Sequence, residues 1–197
     1  MINAEDIDEL KNLVSKSGND EQAYTRLYHI YFTSLLKFAV SLVHLPAIAE
    51  EIVSDVLLQL WRIREDVGSI NNLTVYLFTC IRNHSLNYLG SKIAVHKIYT
   101  DNITLDMACP YPDPEQAFIS DETHRILAKA INLLPPRCQI IFRLIREDGL
   151  KYREVAALLN ISQKTVEAQI GLAMKRLAGA LRESRQIENL PALRVVS

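Results

Sequence analysis

Apolar residues along this chain recur every three or four positions. Tyr24, Leu27, Tyr28, Tyr31, Leu35, Phe38 and Leu42 fall on one face of a helix, and Asn19 with Gln22 forms a capping signal ahead of them. Pro46 fits the first turn of a second helix, whose Val53, Val56, Leu57, Leu60 and Trp61 share a face. A polar break over 65–72 follows, in which Gly68 and Ser69 are expected to stop one helix and cap the next. Leu73, Tyr76, Leu77, Cys80, Ile81, His84 and Tyr88 carry a third amphipathic stretch. No segment alternates with a period of two, so the pattern predicts an all-α protein.

The periodicity lapses between about 92 and 114. There Pro110, Pro112 and Pro114 alternate with Tyr111 and Asp113, which cannot continue a helix and favours extended backbone. Helical spacing resumes over 126–134. Pro135-Pro136 then opens a helix that Asp148-Gly149 ends, and a short helix over 152–159 precedes a long one from 162 to about 185. The expected organisation is a helical domain at 1–91, a flexible linker at 92–117 and a second helical domain at 118–197. The pattern assigns no role to residues 1–16.

The sharpest local signal is the run from Tyr152 to Val166. Two helices that cross steeply need a small residue at their contact, which Ala156 supplies. The turn between them needs tolerance of left-handed backbone, which Asn160 has. Ile161 plugs the corner, and Ser162 caps the second helix. Val166, Ile170, Ala173 and Leu177 form that helix's buried stripe, leaving Gln163, Lys164, Thr165, Glu167 and Gln169 on or beside its outer face. This is a helix-turn-helix with groove-reading chemistry. Gln pairs with adenine, Lys with guanine or phosphate, and Glu with the cytosine amino group. Lys175 and Arg176 suit phosphate contacts, which hold register without reading sequence.

Charge sharpens the division. The net charge of −1 hides 6 basic against 11 acidic residues over 1–66, and 13 basic against 8 acidic over 121–197. An acidic front and a basic back fit two modules with different partners. With 49% apolar and 23% charged residues the composition is that of a folded protein, and six glycines in 197 residues argue against a glycine-rich nucleotide enzyme. The longest apolar stretches stop well short of membrane-spanning length, and residues 1–6 are acidic rather than signal-like. Cys80, Cys109 and Cys138 form no CxxC pair, so reduced thiols in a cytoplasmic protein are expected. Cys80 and His84 share a helix face but find no third ligand nearby in sequence, so no metal site is assigned. No residue set stands out as catalytic, and no cofactor is expected.

Three blocks together resemble the extracytoplasmic-function, or group-four, sigma factors of RNA polymerase. Ala49-Glu50-Glu51-Ile52-Val53-Ser54-Asp55-Val56-Leu57-Leu58-Gln59-Leu60-Trp61 is similar to their polymerase-binding helix. Leu73-Thr74-Val75-Tyr76-Leu77-Phe78-Thr79-Cys80-Ile81-Arg82-Asn83 is similar to the helix they use at the minus-ten element. Leu133-Leu134-Pro135-Pro136-Arg137 followed by the helix-turn-helix resembles their second domain, and Thr165-Val166-Glu167-Ala168-Gln169-Ile170 is similar to members from the Bacteroidetes. The resemblance spans about 24–182. It implies a region-two helical bundle joined to a region-four helix-turn-helix that reads the minus-thirty-five element.

Within that resemblance Glu51, Asp55, Gln59 and Arg62 form one mostly acidic ridge opposite the apolar face. The implied partner is the clamp helices of the polymerase's largest subunit. Residues 66–72 correspond to the loop that cradles a base flipped out of the opened promoter. Asn71 and Asn72 carry amides that can read a base edge, and Ser69 can do so more weakly, although turn and cap roles suit the same residues. Arg82 and Asn83 match the family pattern beside that loop, with His84, Lys92 and Lys97 continuing a cationic stripe. Asn87 stands where an Asp is usual, and Glu167 and Gln169 stand where many members carry arginine. The resemblance also implies an anti-sigma partner, often membrane-borne, with no membrane insertion by this chain itself.

The expected function is therefore a sigma factor that binds core polymerase and promoter DNA and opens the promoter by binding energy, with no enzymatic activity of its own. Two other classes remain open on sequence alone. A ligand-responsive, dimeric helix-turn-helix regulator predicts palindromic operator binding without polymerase. An adaptor protein predicts no DNA contact.

Overall fold

The first domain is organised by α2 (Glu21–Val43), whose apolar residues are numerous enough to be buried on more than one side. A computed structural model describes residues 4–17, 21–93 and 122–188, with the side chains of 6–15, 21–90 and 125–182. The Asn19 capping signal, most of the expected linker, Cys109 and Lys97 lie outside the described residues, as does the Lys92 side chain. Every regular element among the described residues is helical, as the periodicity predicts.

Helix α2 packs against both α3 (Pro46–Arg62) and α4 (Leu73–Ile93), which also touch each other. Only His44 and Leu45 separate α2 from α3. His44 takes a left-handed φ of 59° and donates its N–H to the Val40 carbonyl at 2.9 Å, while Pro46 opens the next helix. Two tyrosines bolt the bundle together through oriented hydroxyls. Tyr24 donates to the Leu57 carbonyl at 2.7 Å, and Tyr31 bonds the Thr74 hydroxyl at 2.8 Å. Burial pushes the Tyr31 phenol up to about 12, so it stays neutral and keeps its proton for that bond. Trp61 sits at the edge, its ring 4.8 Å from Tyr24 and capped by the Arg64 guanidinium at 5.0 Å.

The stripe expected on α4 is incomplete. Leu73, Leu77 and Ile81 are buried, but so are Phe78, which has no exposed surface, and Ser85. Phe78 meets Phe38 of α2 edge-on at 5.2 Å. Cys80 and His84, expected on the buried stripe, are only half-buried. Helix α4 contacts α2, α3 and α7, so more than one of its faces is covered.

Of the N-terminal stretch left without a role by the pattern, the described residues form helix α1 (Ala4–Ser17). It packs on α2 and on a short 3-10 helix, Arg64–Ser69, through the buried Leu10 and Val14.

The second domain is built around α8 (Gln163–Glu188), against which α5 (Glu122–Asn132), α6 (Pro136–Arg146) and α7 (Tyr152–Leu159) all pack. Pro136 begins α6 as predicted, and Gly149 (φ 73°) turns the chain after it. Gln139 is buried but satisfied: its amide donates to the Ile131 carbonyl at 3.1 Å and to Asn132 Oδ1 at 3.2 Å, tying α6 to the end of α5. The buried Cys138 thiol donates to the Gln169 carbonyl at 3.2 Å, which joins α6 to the second turn of α8.

Candidate nucleic-acid interface

The helix-turn-helix forms as its residues dictate. Asn160 ends α7 in the left-handed region (φ 52°, ψ 48°), and the Ile161 N–H bonds the Ala156 carbonyl at 3.0 Å. Ser162 Oγ accepts the Thr165 N–H at 3.0 Å, so it is the N-cap predicted for α8. Val166, Ile170, Ala173 and Leu177 are buried. Gln163, Lys164, Glu167, Lys175 and Arg176 are exposed, while Thr165 and Gln169 are half-buried. Gln163 Nε2 donates to Glu167 Oε1 at 3.1 Å, so these two exposed side chains orient each other. Thr165 Oγ1 bonds Ser162 Oγ at 2.8 Å and is held at the helix tip.

On α3 the ridge Glu51, Asp55, Gln59 and Arg62 is exposed throughout, while Val53, Val56, Leu57 and Leu60 are buried behind it. One further side chain belongs with this ridge. Leu58 is 53% exposed, three residues after Asp55 and four before Arg62, so it shares their face. Its signal was present in the sequence as an apolar residue out of step with the buried stripe.

The polar break takes a form the pattern did not give. Gly68 and Ser69 lie inside the 3-10 helix, where Ser69 Oγ donates to the Asp66 carbonyl at 2.7 Å. The residue that caps α4 is Asn72, whose Oδ1 accepts the Val75 N–H at 3.0 Å. One half of the Asn72 amide is thereby committed. Its Nδ2 lies 3.4 Å from Glu154 Oε1 of α7, a long contact between the two domains. Glu154 meanwhile accepts the Lys151 N–H at 2.7 Å and closes the start of its own helix. Asn71 is exposed, Asn83 is exposed and Arg82 is half-buried on α4.

The domains also meet where the turn after α6 reaches α2. Burial raises the Asp148 carboxyl to about 6, partly offset by a hydrogen bond from Ser34 and by the Lys37 and Arg143 cations, while Glu147 adds to the rise. Ser34, Lys37, Phe38, Gln139, Arg143 and Asp148 line a small cleft there, of about 40 Å³. Among the described residues no three metal-ligating side chains come together.

The chain is thus an all-helical protein of two modules, one ending in a formed helix-turn-helix and the other presenting an acidic helical ridge. Residues 27–92 match sigma-70 region 2, and residues 124–177 match region 4 of the same family. Together the two matches cover more than half of the sequence, and the chain belongs to the sigma-70 family, the initiation factors that bind core RNA polymerase and direct it to promoters. Among solved structures it is similar to CnrH in complex with the cytosolic domain of CnrY, at 19% identity over 90% of this chain and 98% of that one, with a TM-score of 0.48. It is similar also to the sigma factor RpoE in complex with the anti-sigma factor NepR from Bartonella quintana, at 22% identity over 81% and 96%, with a TM-score of 0.48. No curated protein matches the chain.

Proposed function

We propose that this chain is a sigma factor of the extracytoplasmic-function group, of the kind found in the Bacteroidetes, acting in the cytoplasm. Its domains are 1–91, which docks on core polymerase and meets the minus-ten element, and 118–197, which reads the minus-thirty-five element, with 92–117 as tether. Glu51, Asp55, Gln59 and Arg62, with Leu58 among them, form the docking ridge for a basic polymerase surface. An exposed leucine ringed by charge supplies the desolvated centre that such interfaces need. Asn71, Asn72 through the Nδ2 that its contact with Glu154 releases when the domains part, Arg82 and Asn83 face the opened strand. On α8, Gln163, Lys164 and Glu167 read bases, while Ser162, Thr165 and Gln169 border them and Lys175 and Arg176 hold phosphates. The protein performs no catalysis; polymerisation belongs to its partner, and an anti-sigma protein completes the circuit.

The observation that carries this reading is the exposed acidic ridge on the same chain as a completed helix-turn-helix. A regulator that works alone has no use for the former. The test is co-purification with core polymerase, followed by run-off transcription from a fork-junction template. Association, and transcripts that disappear with Glu51→Lys plus Asp55→Lys, are expected. Failure to associate, with tight binding of isolated duplex as a symmetric pair, would overturn it.

The reading has a geometric consequence. Elements named minus ten and minus thirty-five lie about 25 base pairs apart, roughly 85 Å at ~3.4 Å per pair. The Asn72 to Glu154 contact, 3.4 Å long, cannot persist when both elements are held. The domains separate on the promoter.

A further inference from the structure

Helix α1 lies before the matched region 2, which begins at residue 27, yet it is bound to the loop between α3 and α4 by two side chains that reach loop backbone. Lys11 Nζ donates to the Ile70 carbonyl and pairs with Asp8 Oδ1 at 3.1 Å. Ser15 Oγ donates to the Glu65 carbonyl at 2.8 Å. One acceptor lies in the first turn of the 3-10 helix and the other just past its end, and Gly68 within it lies so close that a Cβ there would stand 2.9 Å from Ser15 Oγ.

Lys11 is the informative residue, because it is only 6% exposed. Withdrawing an ammonium from water is costly, and a Leu or Met would cover the same apolar floor at less expense. What the charge adds is direction. A peptide unit is planar and trans, so its C=O and N–H point opposite ways. Turning the Ile70 carbonyl inward onto Lys11 turns the N–H of Asn71 outward and sets the plane from which the exposed Asn71 side chain departs.

We propose that α1 is a positioning element for base capture, with Lys11 and Ser15 holding the 65–70 backbone so that Asn71 meets an extruded base in a fixed orientation. This rests on the proposal above that the 66–72 loop receives such a base. The two side chains act through the loop and touch no DNA. Their removal therefore loosens the loop, and leaves the docking ridge and the helix-turn-helix as they are.

The test uses full-length protein in holoenzyme with core polymerase. The probe is a pool of fork-junction DNAs randomised over the single-stranded minus-ten stretch, with bound molecules sequenced. Wild type should select a base at several positions. Lys11→Met, which keeps the stem and removes the charge, should flatten selection about tenfold at one position or two adjacent ones. Its core affinity and its preference at the duplex minus-thirty-five element should stay unchanged. Lys11→Arg should restore much of the selection, and Ser15→Ala, a mild change at a half-buried position, should weaken the same position and no other. Undiminished selection in both Lys11→Met and Ser15→Ala would overturn the inference while leaving base capture intact. Uniform loss at all positions together with loss of core binding would overturn it too, by making α1 a folding element. If wild type itself selects no base in the single strand, the base-capture reading fails first and takes this inference with it.

Discussion

Asp148 makes the contact between the two domains sensitive to acid, in a direction that can be worked out. Its carboxyl titrates near 6 where it is enclosed against α2, and near 3.8 when free. The closed arrangement therefore binds more protons than the open one between these two values. Closure is strongest below about pH 4, weakens as the pH rises towards 6 and is level above it. The full displacement corresponds to ~3 kcal/mol for a wholly dry carboxyl, and roughly half that for one partly reached by solvent, or about tenfold in the closed-to-open ratio. Asp148→Asn keeps a group able to bond Ser34 and removes the charge. The variant should close more tightly at pH 7 and show no such dependence.

A donor and acceptor dye at the exposed positions Glu50 and Ala178 report the separation of the domains between pH 4 and 7.5. The difference between wild type and Asp148→Asn cancels the other carboxylates. A carbon-detected titration of the Asp148 side chain measures its midpoint directly. Identical pH curves for the two proteins, or a midpoint near 4, would refute the argument.

Other outcomes follow from single contacts. Phe78→Ala empties a fully enclosed ring site and should cost about 3–5 kcal/mol in chemical denaturation, whereas the half-buried Cys80→Ala should cost much less. Asn160→Ala should destabilise the second domain by about 1 kcal/mol through its left-handed backbone, and Asn160→Gly should be close to neutral in the same melts. Gln163→Ala and Lys164→Ala should alter promoter preference, while Arg176→Ala weakens all DNA alike; footprints showing equal losses across sequences for all three would contradict the assignment. Dyes on the two domains should move apart by tens of ångströms when holoenzyme binds a promoter, and an unchanged transfer efficiency would contradict the separation of the domains.

The amino-acid sequence determined by itself whatever depends on neighbours a few positions away. Helical spacing placed the apolar faces of α2, α3 and α8. Asn160, Ile161 and Ser162 specified a turn whose left-handed residue and cap are properties of that short stretch. The exposure of Glu51, Asp55, Gln59 and Arg62 followed from the periodicity of a single helix. Tertiary structure decided what depends on distant segments. Phe78 is buried because α4 is covered by several helices, where a one-face reading allows a single stripe. Asn72 rather than Ser69 caps α4 because the 3-10 helix takes up Gly68 and Ser69. Lys11 meets Ile70 across 59 positions, and Asn72 meets Glu154 across 82. Such pairings reward the chain only after folding has closed the intervening loops, so no local pattern of residues encodes them.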